Sequence, residues 1–395
     1  MKKESFKENK TESIREAFIN EVGASVLDTY PFGNPEEKNI FVEKINKLTD
    51  TLPINDNETT KELKKILAIL KNTHLSLREE TIAPPFTLNR NIYYKAGEFW
   101  INENNQPLRI IGIDNKPIMD RVSEQLEFIG GGTKDWKINK ALQAIRDSKE
   151  QVSISIAVDN KGTQQTIDAS FLPFNQSKDI IKEKFVRSEI IEGNLGYLKI
   201  NSWSNKIIID NKNIADFVKE ELHNLEKTDG IIIDVRDNSG GDSSLAAQLA
   251  GRFVDKPMVY TNALIRKEKS NTLEKEDFKI KPISPKINKP VVVLTGPKCL
   301  SSNELFILML KDGGHVITIG ETTGGGSGCP KSFSLHLGEK KYTLNVPTWK
   351  LIRNNGQELE NKGIEPDIEV KATIQDVIEK KDPILQRAID YLKKC

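Results

Sequence analysis

The chain has 395 residues, with 58 Lys and Arg against 57 Asp and Glu and a formal net charge of +1. That length allows two or three domains and a sizeable core, and the balanced charge gives no argument for nucleic acid or an anionic membrane as partner. Three cysteines with no CxxC pair and four histidines with no HExxH argue against a disulfide framework and a zinc site, and no cofactor is expected.

The first residues, MKKESFKENKTESIREAF, are basic but lack an apolar stretch of the secretory kind, and no segment approaches the ~20 apolar residues of a membrane helix. A cytoplasmic location is expected, with a removed leader left open. Residues 1–80 read as helical. Ile14, Ala17, Phe18 and Val22 fall at helical spacing, as do Phe41, Ile45 and Leu48, and a strong helix opens at Thr59-Thr60-Lys61-Glu62. His74 stands where this helix gives way to a short strand. On its own such a histidine reads as a helix-end cation or a satisfied polar group.

Residues 81–190 read as a β-rich segment. Strands are expected at Ile92–Tyr94, Phe99–Ile101 and Leu108–Ile113, a helix from Ile118 to about Phe128, and a hairpin joining 153–158 to 166–171. Gly130-Gly131-Gly132 lacks the strand–turn–helix context and the downstream Lys-Ser/Thr of a phosphate loop. From 191 to 395 the pattern is strand, helix, strand, helix. It runs through Gly196–Ile200, Ile214–Leu225, Ile231–Val235 and Leu245–Phe253, and then an irregular Lys-rich stretch over about 264–289. Next come the apolar run Val291–Leu294, a helix Leu305–Lys311 and a strand His315–Ile319. Strands at 333–337, 342–346 and 368–370 and a final helix Pro383–Leu392 close the chain. Alternating β and α elements indicate an α/β core with a largely parallel sheet, in an α+β whole, and active residues are expected past the carboxyl ends of its strands.

Two stretches lie at such ends: Asp234–Gly241 and Ser301. A serine between a buried strand and a helix faces the free N–H groups and positive dipole end of that helix, a place suited to an alkoxide and to an oxyanion. The same Ser-x-x-Glu, Ser301 with Glu304, also fits a capping box. Ser302 is a rival nucleophile by adjacency.

Six pieces in order resemble the carboxyl-terminal processing (tail-specific) protease family, which includes the tricorn core and the nisin resistance protein. They are Gly196–Ile200, Ile232–Gly241, Ser301–Glu304, Gly320-Glu321-Thr322-Thr323-Gly324-Gly325, Gly363–Ile368 and Asp382–Leu385. Asn72–Ser76 is a looser match to the family's Asp-x-His-Thr segment, and the strand–turn–helix at 108–128 resembles a remnant of its PDZ module. Members with a Ser–Lys dyad carry a lysine where this chain has Gly326, so the sequence is similar to the histidine-using branch. The resemblance implies a crotonase-like α/β catalytic core and a serine endopeptidase. Ser301 would be its nucleophile, His74 its general base and Glu360 the group that orients the histidine. It also implies an oxyanion hole from backbone N–H groups of Ser302 and of Gly240 or Gly241, with substrate lined by Thr323, Gly324 and Gly325. The implied partner is a peptide or an unfolded protein tail. A base at His74 predicts activity rising through the imidazole pKa of ~6.5. The alternatives are a peptide-binding pseudoprotease, a Ser–Lys protease using Lys331, and a hydrolase for a non-peptide substrate. Read locally, Glu360 could be only a solvated loop charge.

Overall fold

Four consecutive apolar residues, Val291 to Leu294, cannot all face one side of a strand, so a strand made of them must be covered on both. The structure, a computed structural model, describes residues 2–80, 86–173, 185–209, 211–266, 272–311 and 316–395. It places the strand Val291–Thr295 inside a six-stranded sheet. The order is Val186–Ile191, Leu195–Ile200, Gly230–Asp234, Val291–Thr295, Val316–Gly320 and Ile368–Glu369, antiparallel in the first pair and parallel thereafter. Val291 and Val293 join Leu198, Ile231 and Ile233 in one core, beneath the helices Ile214–Asn224, Ser243–Ala250 and Ser302–Lys311. Val292 and Leu294 join Ile232 and Ile319 in a second core, beneath the helix Pro383–Leu392. The parallel register brings the loops after Asp234 and Thr295 to the same end of the sheet.

The helices Lys2–Thr29, Pro35–Asp50 and Asp56–Ile69 form the expected helical region. The third starts earlier than the Thr59 signal suggests, because the Asn55 side chain accepts from Glu58 N and caps it. This region has no core of its own. Phe18, Val22, Phe41, Ile45, Leu63 and Leu67 pack against Leu335, Leu337, Tyr342 and Leu344 of the hairpin Lys331–Leu337/Lys340–Val346. The strand Ser76–Glu79 then adds to that hairpin beside Lys340–Val346. His74 therefore rides on a short link fixed at both ends, by a helix and by a strand.

Residues 86–173 form a separate core under an eight-stranded sheet, with helices Ile118–Leu126 and Lys134–Arg146. The second helix was not anticipated, although Ile138, Ala141 and Leu142 give it a buried stripe. The strand Val186–Ile191 belongs to the six-stranded sheet, so the expected division at 190/191 falls within that sheet. The stretch expected to be irregular holds a strand, Leu273–Ile280, paired with Met258–Arg266. An exposed ribbon carries Lys and Glu along most of its length, which erases the apolar alternation that would have revealed it. His315 lies outside the described residues, and the strand there spans Val316–Gly320.

Candidate active site

Ser301 closes the loop after Val291–Thr295 and stands one residue before the helix Ser302–Lys311. Its φ is 59°, the left-handed region that non-glycine residues enter at a cost of order 1–3 kcal/mol. The strained turn is held by Ser301 N donating to Gly326 O at 2.8 Å. The Ser301 carbonyl, not its hydroxyl, accepts from Glu304 N (2.8 Å) and Leu305 N (3.1 Å). The helix start is thus capped by backbone, and the hydroxyl is left for another partner. That partner is His74, whose Nε2 lies 3.0 Å from Ser301 Oγ. The Ser302 hydroxyl donates instead to Gly241 O at 2.6 Å.

The other imidazole nitrogen, Nδ1, lies 2.9 Å from Thr73 Oγ1. Thr73 in turn bonds the Glu360 carboxyl through its hydroxyl, and its N–H donates to Glu360 Oε1 at 2.7 Å. Glu360 Oε2 accepts from Ser327 N at 3.3 Å, and Asn72 Oδ1 accepts from His74 N at 2.9 Å. Glu360 therefore reaches the histidine through Thr73, where the sequence reading had it hold the ring directly. Thr73 was missed; the available signal was a hydroxyl residue immediately before the histidine. With the threonine proton on Glu360's side, Nδ1 donates to Thr73 Oγ1 and Nε2 is left as the acceptor facing Ser301. Burial pushes His74 down to about 4, so the ring is neutral across the physiological range. Burial pushes Glu360 up to about 8 and Glu304 up to about 7 against the donors that favour their ionised forms.

Glu304 does more than cap a helix. It is fully buried and ties three segments together: Oε1 accepts from Gly325 N (2.9 Å) and the Thr323 hydroxyl, Oε2 from Gly326 N (2.8 Å) and Ser301 N (3.3 Å). This changes the reading of Thr323, Gly324 and Gly325 as substrate-binding. Thr323 N donates to Ile364 O, Gly324 N to Cys299 O, and the carbonyls of Gly324 and Gly325 accept from Thr133 N and Asn361 N. All three residues are buried with their backbone groups engaged, so they brace the site from behind and present no free edge to a peptide.

Gly240 also differs from expectation. Its N–H donates to Asn238 Oδ1 at 2.8 Å and is unavailable to an oxyanion. Among the described residues, the N–H groups of Gly241 and Ser302 have no protein acceptor. Gly240, at φ 104°, still matters sterically, since a Cβ there would lie 2.9 Å from Ser301 Cβ. Arg236 supports this loop. It bonds Asp234 and both oxygens of Asp382, at 2.7–3.0 Å, and so ties the strand end to the cap of the last helix. Among the described residues no group of three or more His, Cys, Asp and Glu is placed to hold a metal ion, and no helix is long and apolar enough to cross a membrane.

The model of peptidase family S41 matches residues 194–370, the segment that carries five of the sheet's six strands, Ser301 and Glu360. That segment of the chain is similar to peptidase family S41. Carboxy-terminal processing protease CtpA of Bacillus subtilis is 26% identical over 303 residues, covering 75% of this chain and 58% of the relative. CtpB of the same organism is 27% identical over 259 residues, covering 65% and 49%. The chain thus spans about half the length of these curated relatives. Mature CPAF superposes with a TM-score of 0.78 at 14% identity, over 97% of both chains, a likeness of fold that extends beyond the matched segment.

Within the matched segment, Gly326 stands where family members with a Ser–Lys dyad carry the lysine. The structure gives the steric reason. A Cβ on Gly326 would lie 1.9 Å from Thr73 Oγ1 and 2.6 Å from Thr73 Cγ2, and one on Gly328 would lie 2.9 Å from His74 Cβ. The Thr73–His74 link occupies the space a side chain would need. Lys331 is exposed on the strand Lys331–Leu337, with its ammonium 5.3 Å from the Phe333 ring centroid.

Proposed function

We propose that the protein is a serine endopeptidase that cleaves peptides or unfolded protein tails by acyl-enzyme chemistry. The observation that carries this reading is the 3.0 Å contact between His74 Nε2 and the Oγ of a serine held at φ 59°. His74 takes the Ser301 proton as Oγ attacks the scissile carbonyl, then returns it to the leaving amine; a water repeats the cycle on the acyl-enzyme. Thr73 and Glu360 fix the ring and its tautomer and spread the imidazolium charge. The N–H groups of Gly241 and Ser302, the latter at a helix start, supply the oxyanion donors in this reading, and loss of one such donor costs roughly 3 kcal/mol. The carboxy-terminal processing named for CtpA and CtpB supports a substrate cut near its carboxyl end. A peptide can add as a strand to an exposed sheet edge, where main-chain bonds give affinity.

The intact His74–Ser301 contact speaks against the binding-only reading, and the exposed Lys331 gives no support to a displaced-lysine base. The test is cleavage of unstructured peptides with apolar carboxyl termini by wild type, Ser301→Ala and His74→Ala. Cutting by wild type and background rates in both variants is the expected result. Full activity in His74→Ala would overturn the assignment.

A further inference from the structure

The six-stranded sheet ends on one side at the strand Val186–Ile191, and among the described residues no strand pairs with its outer edge. The inner edge decides which groups the outer edge offers. Asn201 N donates to Phe185 O at 2.8 Å, in the register that also pairs Arg187 with Lys199 and Glu189 with Tyr197. Hydrogen-bonded pairs recur at every second residue of an antiparallel ladder, so the odd-numbered residues direct their N–H and C=O to the inner neighbour. Those of Val186, Ser188 and Ile190 point outward, an open template for another strand. Two large apolar side chains stand exposed along it, Ile190 at 59% and Phe185 at 48%. Arg187 and Glu189 lie on one face between them and bond each other. The Ser188 hydroxyl, on the other face, bonds Glu221 of the helix Ile214–Asn224.

We propose that this edge pairs with the same edge of a second copy of the chain, antiparallel about a two-fold axis at Ser188. The outward groups form hydrogen bonds only when they meet outward groups, which leaves few registers. An axis at Arg187 sets arginine against arginine, and one at Glu189 sets glutamate against glutamate, like charges directly opposite. An axis at Ile190 sets Glu189 against Ile191, and one at Val186 sets Arg187 against Phe185. The axis at Ser188 sets Arg187 of each copy against Glu189 of the other, at non-hydrogen-bonded positions where side chains come closest. It also sets Val186 against Ile190 and Phe185 against Ile191, and so covers both exposed apolar side chains. The ion pair within each copy becomes a network of four charges across the axis. Such a contact is isologous, closes at two copies and joins the two sheets into one. The strand before Ser301 lies three places in from this edge, so the second copy's strand lies four spacings, about 19 Å, from it. The inference goes beyond the peptidase reading and is tested without it.

A single pair of strands is a small interface, below about 1,200 Å², so association is expected on the order of 100 µM. The experiment is sedimentation equilibrium of the full chain at concentrations on both sides of that value. The weight-average mass should climb from 44.5 kDa toward twice that. Arg187→Glu and Glu189→Arg each place like charges opposite one another on both sides of the axis, and each should weaken association about tenfold. An equimolar mixture of the two variants restores opposite charges and should associate as wild type does, as should the double variant Arg187→Glu/Glu189→Arg. Unfolding midpoints check each variant, with Arg187→Asp and Glu189→Lys as alternatives should one fail to fold. A monomer at every concentration, the result if a substrate strand or another part of the chain holds this edge, overturns the proposal. So does a dimer that both single variants leave unchanged, or single variants that stay apart when mixed. Mass is read without any peptide cleavage, so failure here is separate from failure of the peptidase assay.

Discussion

Replacing Gly326 with alanine tests the link between the glycine loop and the histidine most sharply. The added Cβ would sit 1.9, 2.6 and 2.7 Å from Oγ1, Cγ2 and Cβ of Thr73, closer than real contacts allow. A rotamer change at Thr73 cannot clear all three, because Cβ itself is among them, so the backbone of residues 72–74 must shift. That backbone is held by Thr73 N to Glu360 (2.7 Å) and His74 N to Asn72 (2.9 Å), and the threonine hydroxyl holds Nδ1 of His74. Overpacking of this kind costs about 1–3 kcal/mol. A displacement of the imidazole by about 1 Å costs on the order of 100-fold in rate. The expected outcome for Gly326→Ala is therefore kcat/KM lowered about 100-fold, mostly in kcat, with a modest drop in Tm. Adding Thr73→Gly should relieve the clash and restore stability while leaving kcat low. The assay is steady-state peptide cleavage alongside thermal unfolding. Wild-type kcat/KM in Gly326→Ala, within twofold, would refute the steric argument and with it the explanation for the missing lysine.

Four further outcomes are expected. Thr73→Val keeps the shape but removes the hydroxyl between His74 and Glu360; kcat should fall about 10–100-fold with KM little changed, and Thr73→Ser should recover most of it. With His74 held down to about 4, the acid limb of kcat/KM should lie near that pH and not near the ~6.5 read from the free imidazole. The linked stability has a definite sign. The folded pKa lies below the unfolded one, so His74's contribution is present above ~6.5 and is lost as pH falls toward 4, up to about 3 kcal/mol. Glu360 and Glu304, raised to about 8 and about 7, act oppositely: theirs is present below ~4.5 and lost as pH rises through those values. Unfolding scans of wild type and His74→Phe from pH 7 to 4 separate the terms, since only the wild type should carry the histidine loss; parallel curves would contradict it. Finally, Arg236→Ala leaves Asp234, 1% exposed, without its cation and unties Asp382, and should cost roughly 3–5 kcal/mol in denaturant unfolding.

Much of the half that carries Ser301 was legible in the chain itself. Val291–Leu294 had to be a strand covered on both faces, because a period of two leaves no other way to bury four apolar residues in a row. Gly240 and Gly241 had to mark a turn of unusual φ. Ser301 was placed between strand and helix by local pattern alone, and the family motifs run along the sequence as they run along the sheet. Short-range physics governs all of these, and short-range physics is written in neighbouring residues.

What the tertiary structure alone decided is long-range and concerns which donor meets which acceptor. His74 and Ser301 are 227 positions apart, and Thr73 and Glu360 are 287 apart; nothing in either neighbourhood announces the other. The hydroxyl of Thr73 enters between Glu360 and His74 only because the 71–75 link passes through the space Gly326 and Gly328 leave open. Gly240 and Gly241 look equivalent in sequence, yet the fold gives one N–H to Asn238 and leaves the other without an acceptor among the described residues. Thr323–Gly325, read as a groove, is buried: Glu304 turns back to take the Thr323 hydroxyl and the Gly325 N–H, and the carbonyls of Ile364 and Cys299 take the N–H groups of Thr323 and Gly324. A sequence shows how many hydrogen-bonding groups a loop carries. Which of them remain free depends on partners that close packing brings from hundreds of residues away.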